Sequence, residues 1–179
     1  THKNTSTFLN ISKKLFNFNK GLRFSHFSDL TFDPSIFDLF VCWMNAGTLI
    51  PFNKRSYRIN PYIYFKDNKK IDVVFCIPSL INNLRENSNL NKKEIKSIKH
   101  LILTGEAIPK NLIYDWYKSA KKSKVYNVYG TTETAIISHC FEVPKNIKKN
   151  QLISVGKPLP LMRIFLKNDG QISPNIKKG

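Results

Sequence analysis

The chain has 179 residues, 41% of them hydrophobic, and its 13 Phe and 7 Tyr supply bulky material for one sizeable core. No apolar run approaches the roughly 20 residues that cross a bilayer, and no charged-then-apolar leader opens the chain, so the sequence reads as soluble and cytoplasmic with no membrane partner. A net charge of +17 raises nucleic acid as a partner, but the lysines are dispersed in pairs such as Lys92-Lys93, Lys121-Lys122 and Lys148-Lys149, arginine is scarce and no aromatic alternates with them, so a solvated surface is the better reading.

In chain order, Ser6 to Phe18 reads as a helix with a stripe of Phe8, Leu9, Ile11, Leu15 and Phe18. Gly21 punctuates, and Leu22 to Phe27 alternates like a strand. Asp33-Pro34 predicts a helix start, an acidic N-cap followed by proline at the first helical position, with the helix running to about Asn45 and closed by Ala46-Gly47. Thr48 to Phe52 is a short strand, and a helix follows Pro61. Asp72 to Ile77 is apolar in the manner of a buried parallel strand, and Pro78 opens a helix to about Arg85. Glu86 to Glu94 reads as a surface loop. Leu101 to Leu103 is a third core strand, Pro109 to Ala120 a helix, and Lys124 to Val128 a fourth core strand. Beyond it the pattern changes to strands at Ala135 to Phe141, Leu152 to Val155 and Met162 to Leu166. The fold class is therefore α/β, a parallel sheet flanked by helices over residues 1–150, with a β-rich region starting over 151–179.

Three cysteines (Cys42, Cys76, Cys140) and four histidines show no paired or ligand spacing, which argues against a disulfide framework or a zinc site and fits a reducing compartment. In parallel α/β sheets ligands bind beyond the carboxyl ends of strands, and the three most distinctive loops sit at such ends. They are Thr31-Phe32-Asp33-Pro34-Ser35, Thr104-Gly105-Glu106-Ala107 and Asn127-Val128-Tyr129-Gly130-Thr131-Thr132-Glu133. The last offers an aromatic face, a turn, hydroxyl donors and a carboxylate, a set able to meet a base, a phosphate and Mg²⁺. On its chemistry alone the better reading is an ordinary strand-turn-helix connection, with Thr131 or Thr132 capping a helix.

NVYGTTE resembles the signature of the adenylate-forming superfamily, which includes the adenylation domains of nonribosomal peptide synthetases, D-alanyl carrier-protein ligases and acyl-CoA synthetases. LTFDPSIFDLFVCWMNAGTLI resembles the segment in which amino-acid-activating members carry Phe-Asp-x-Ser, VVFCIPSLI and LILTGEAIP resemble the next two core strands, and SVGKPLP resembles the stretch after the nucleotide loop. THKNTSTFL resembles the helix that follows the family's phosphate loop, so the likeness spans essentially the whole chain. An opening Thr1 rather than Met fits an internal fragment.

The resemblance implies that Tyr129 stacks on adenine, that Gly105, Glu106 and Ala107 line the base's other side, and that Asn127 bonds its edge. Gly130 and Thr131 belong to the same nucleotide loop, Thr132 contacts the α-phosphate and Glu133 coordinates Mg²⁺. Position 131 is usually proline in peptide-synthetase domains, so Thr131 departs from that branch. Asp33 pairs with the α-ammonium of an amino acid, a group that acyl-CoA and aryl-acid ligases, the alternative within the superfamily, do not need to recognise. The pocket positions implied are Pro34, Phe37, Cys76, Ile102, Thr104, Val128, Ile136 and Ile137, nearly all apolar, which predicts a small or medium apolar substrate side chain. The implied reaction forms an aminoacyl-AMP from ATP with Mg²⁺ and passes it to a phosphopantetheine thiol on a carrier protein. The family's phosphate loop is expected before Thr1, and its ribose-binding Asp and catalytic Lys beyond Gly179. The chain by itself is therefore expected not to catalyse adenylation.

Overall fold

The computed structural model describes residues 1–68, 70–87, 95–109, 111–168 and 171–173. Helix α1 (His2–Phe16) starts where the Thr1 side chain accepts the Asn4 N–H at 3.3 Å and ends where Asn17 turns left-handed, with Lys13 and Lys14 in the last turn facing the negative end of the helix dipole. It buries Phe8, Ser12 and Phe16, one position every turn. Strand β1 (Arg23–His26) follows. The next helical stretch is α2 (Pro34–Ile36), a π-turn at Phe37–Val41 and α3 (Cys42–Met44). The wider turn directs Phe37, Asp38 and Val41 inward together, and Phe37 packs on Phe75 at 4.3 Å between ring centroids.

Strand β2 (Thr48–Pro51) leads to α4 (Arg55–Ile59) and α5 (Pro61–Asp67). Helix α4 was not legible in sequence, because Tyr57 is its one buried residue and no apolar period marks it. Strand β3 (Val73–Cys76), helix α6 (Pro78–Asn87), a short turn at Ile95–Ser97 and strand β4 (His100–Leu103) come next. Most of the predicted loop from Glu86 to Glu94 lies outside the described residues, and its first residues close α6. Helix α7 (Leu112–Ser119) begins later than Pro109 because Asn111 is left-handed, at φ 76°. Strand β5 (Lys124–Tyr129), a helical turn at Thr132–Thr134, β6 (His139–Val143), β7 (Lys157–Pro158) and the ribbon β8 (Leu166–Asn168) with β9 (Gln171–Ser173) complete the order.

Among the described residues seven strands form one mixed sheet in the order β2-β1-β3-β4-β5-β6-β7. The first five strands are mutually parallel, and β6 and β7 join antiparallel, so β7 adds to the same sheet beyond residue 150. Alternation along the strands builds a core on each face. Val74, Cys76, Leu101, Leu103 and Val125 point to one core, where Ile81 and Leu84 of α6 and Trp116 of α7 cover them. Val73, Phe75, Ile102, Tyr126 and Val128 point to the other, under Phe8 and Phe16 of α1 and Phe37 and Val41. Burial on both faces explains why β3 is apolar throughout and β4 is apolar from Leu101 onward.

Three predicted strands need correction. Ala135 and Ile136 hold φ of 61° and 74°, so no strand can begin before His139. Leu152 to Val155 forms no strand; the segment is tied to the sheet by a side chain, the Asn127 amide donating to the Ser154 carbonyl at 2.8 Å. From Met162 onward, regular pairing starts only at Leu166. The N-cap expected of Asp33 is also absent. Its backbone is already helical (φ −60°, ψ −27°), which turns the side chain away from the N–H groups a cap must reach, and it makes no capping bond.

Candidate functional site

The chain runs from β1 outward to β2 and then returns to β3 on the other side of β1, so the strand order reverses between β1 and β3. Such a reversal leaves a crevice beyond the carboxyl ends of the two strands. A cavity of about 460 Å³ occupies that place, lined by Phe27, Ser28, Asp29 after β1, by Phe75, Cys76, Ile77 and Leu80 from β3 into α6, and by Phe32, Pro34 and Thr104. A second, more polar cavity of about 520 Å³ shares Phe27, Ser28 and Asp29 and is bounded by His26, Asn53 and Arg58. The Asp29 carboxylate accepts the Thr31 N–H at 3.0 Å and the Thr31 hydroxyl at 2.8 Å, bonds that hold its pKa below the ordinary carboxylate range.

Of the predicted pocket residues, Pro34, Cys76 and Thr104 line the first cavity. Phe37, Ile102, Val128, Ile136 and Ile137 lie buried in the core beneath it, and Phe37 reaches the cavity through Phe75. Asp33 stands between two lining residues, Phe32 and Pro34, is half-buried, and its carboxylate has no hydrogen bond or ion pair among the described residues. A carboxylate left without partners beside residues that line an apolar cavity is free to accept a cation. Burial pushes the Cys76 thiol well up, which makes it wall rather than nucleophile.

Sequence reading missed Asp38. The side chain is 1% exposed, Oδ2 accepts the Ser28 N–H at 3.4 Å, and Oδ1 has no partner. Burial drives its pKa well above the ordinary carboxylate range against the bonds from Ser28 and Phe27, two of the three residues shared by both cavities. No local pattern announces such a group, because the π-turn rather than the residue spacing turns it inward.

The nucleotide-loop candidates lie at the ends of the two neighbouring strands. Gly105 is left-handed at φ 83°, and the Glu106 carboxylate after it accepts the Ser79 N–H at 3.0 Å and the Ser79 hydroxyl at 3.1 Å, capping the first turn of α6. Ala107 is exposed beside them. Leu103 and Asn127 are register partners, which brings the Thr104–Ala107 loop alongside the end of β5. The Asn127 amide N–H is committed to Ser154, so its oxygen is the face left to accept from a ligand. Tyr129 is 51% exposed at the strand's end.

After Tyr129 the backbone folds back on itself. A Cβ at Gly130 would stand 2.3 Å from the Ile136 carbonyl oxygen, so only glycine fits. The Thr131 N–H donates to Thr134 Oγ1 at 3.0 Å, a bond that needs the N–H a proline lacks. Thr132 and Glu133 are exposed on the turn, and bonds from its own N–H and from Thr131 lower the Glu133 pKa. Glu133 also borders a cavity of about 350 Å³ with Lys3 and Asn4 of the first turn of α1, and Ile137 lies in the same wall. Helix N-termini favour phosphate.

Among the described residues no group of three or more His, Cys, Asp or Glu could hold a metal by itself. An ionised, exposed Glu133 nonetheless fits Mg²⁺, which takes one or two carboxylates and completes its shell with water and phosphate. No helix among the described residues is long and apolar enough to cross a membrane.

The family model described as AMP-binding enzyme matches residues 1–179. Tyrocidine synthase 1 of Brevibacillus parabrevis is 23% identical over 180 residues, covering 99% of this chain and 16% of that protein. A D-alanine–D-alanyl carrier protein ligase of Listeria monocytogenes is 25% identical over 183 residues, covering 100% of this chain and 36% of the ligase. The crystal structure of the Vibrio cholerae adenylation domain AlmE, in complex with glycyl-adenosine-5'-phosphate, superposes with a TM-score of 0.86 at 21% identity over 96% of this chain and 32% of that one. That of IdnL7 superposes with a TM-score of 0.84 at 26% identity over 97% and 36%. The chain thus spans between 16% and 36% of the length of these curated relatives.

Proposed function

This chain belongs to the AMP-binding enzyme family, and we propose that it carries the amino-acid pocket and the adenine-facing part of the ATP site of an enzyme that activates an amino acid as aminoacyl-AMP. The observation that carries the reading is Asp33, a partnerless carboxylate between two residues that line an apolar cavity at the strand-order reversal. The substrate's α-ammonium pairs with Asp33, and its side chain enters among Phe27, Phe32, Phe75, Ile77 and Leu80. That lining suits a small or medium apolar side chain, though methylene-level discrimination in such a pocket is worth only about 1–3 kcal/mol.

Tyr129 offers its open face to adenine and the Asn127 oxygen accepts from the base edge, with Gly105 to Ala107 on the other side. Thr132 donates to the α-phosphate. Glu133 holds Mg²⁺, which when bound neutralises phosphate charge. A carboxylate oxygen of the oriented substrate attacks the α-phosphorus, a new P–O bond forms, and the bond to the β-phosphate breaks with its electron pair leaving on pyrophosphate. The relative named as a D-alanine–D-alanyl carrier protein ligase supports the next step, in which a carrier's phosphopantetheine thiol displaces AMP.

The test is amino-acid-dependent ATP–pyrophosphate exchange by the full-length enzyme carrying this chain. Asp33→Asn should raise the KM for the amino acid by about a hundredfold, the loss of a desolvated charge partner, with the KM for ATP little changed. Exchange driven equally well by the des-amino acid, in wild type and variant alike, would instead identify an acyl or aryl acid ligase.

A further inference from the structure

Resting on the nucleotide reading above, we propose that His139 is a positioning residue for the adenine platform, holding the Tyr129 ring from the side opposite the base. Tyr129 and His139 are register partners at the end of the β5–β6 ladder, so their side chains stand on one face of the sheet. Their ring centroids are 5.8 Å apart with planes tilted by 59°, and among the described residues His139 carries the one ring in contact with Tyr129. Half of Tyr129 is open, and a half-open aromatic with a single ring neighbour depends on that neighbour to keep its plane.

The imidazole itself is fixed by Ser138. The Ser138 N–H donates to the Tyr129 carbonyl at 2.8 Å and the Ser138 hydroxyl donates to the same oxygen at 3.1 Å. Ser138 Oγ also bonds His139 Nδ1 at 2.9 Å, and since a hydroxyl has one proton, the ring N–H is the donor in the tautomer that leaves the hydroxyl on the carbonyl. One buried serine therefore clamps both members of the pair, the tyrosine through its backbone and the histidine through its ring. His139 also pairs in register with Pro158 of β7, which limits its swing on the far side. The loop after Tyr129 is tightly turned, since the backbone of Gly130 lies so near that of Ile136 that no Cβ fits between them.

The experiment compares wild type, His139→Ala, His139→Phe and Tyr129→Ala in the full-length enzyme, reading steady-state exchange together with equilibrium binding of AMP and of inorganic tripolyphosphate. An aromatic pair of this geometry predicts that His139→Ala raises the KM for ATP and the Kd for AMP together, by about three- to tenfold. The kcat, the KM for the amino acid and the Kd for tripolyphosphate, which has no base to stack, stay within twofold. His139→Phe, which restores a ring, recovers the AMP affinity to within twofold of wild type. A His139→Ala change below threefold in AMP affinity overturns the proposal. So does a loss shared by tripolyphosphate and amino acid, which would mark a general loss of structure, and so does a Phe variant no better than Ala. Tyr129→Ala separates the two levels: if it leaves AMP binding unchanged, the nucleotide reading itself fails, whereas a weakened Tyr129→Ala beside a silent His139→Ala refutes only the role of His139.

Discussion

Replacing His100 by Phe should flatten the pH dependence of folding. His100 opens β4, packs edge-on against Phe18 at 4.8 Å and stacks parallel to Tyr126 at 6.4 Å, and its Nδ1 is buried without a partner. Burial first, then the nearby Lys124 and Lys99, push its pKa from the ordinary 6.5 down to about 4, against a smaller pull from Asp72. The fold therefore binds fewer protons than the unfolded chain between those two values, and stability rises with pH across that window and is lost as pH falls through it. At 1.36 kcal/mol for each tenfold change in proton affinity, and discounted for solvent screening of a half-buried ring, a fall from 6.5 to about 4 is worth about 1–2 kcal/mol. Phe keeps the ring contacts and cannot titrate. Urea unfolding of the 179-residue chain at pH 7.5 and pH 4 should show wild type losing about 1–2 kcal/mol more than the variant between the two conditions. Parallel losses in the two proteins would refute the reasoning, since every other titrating group is common to both.

Asp38 predicts the opposite slope. Its folded pKa is raised by burial, so stability is fully present below 3.8 and falls as pH rises, by up to about 1.4 kcal/mol per pH unit for as long as the fold keeps it protonated; Asp38→Asn should remove that slope in urea titrations. Gly156→Ala should cost about 3 kcal/mol in the same assay, because the residue sits at φ 87° and its new Cβ would meet the Cys140 carbonyl oxygen at 2.0 Å. Thr131→Pro removes the N–H that bonds Thr134 and asks for a φ near −65° where the chain holds −129°, so about 1–3 kcal/mol of loop stability should go, read as faster amide exchange over residues 131–138.

Much of this protein is written locally in its sequence. The apolar runs at β3 and β4 announce strands buried on two faces, and the alternation of Val125, Tyr126 and Val128 divides the two cores. The run from Asn127 to Glu133 stands out through its resemblance to a family signature, since its residue types alone fit an ordinary strand-turn-helix connection. What the tertiary structure alone decided depends on long-range closure. The antiparallel entry of β6 follows from Gly130 nesting against Ile136, which forces left-handed backbone where alternation of side chains promised a strand. The pocket wall at Phe27 to Asp29 exists only because the strand order reverses beside β1. Asp33 reads as a cap by type, and is left free because its own backbone is already helical. Spacing along a chain records which faces are buried; which loops meet, and which polar groups are left without a partner, is fixed by where distant strands pair.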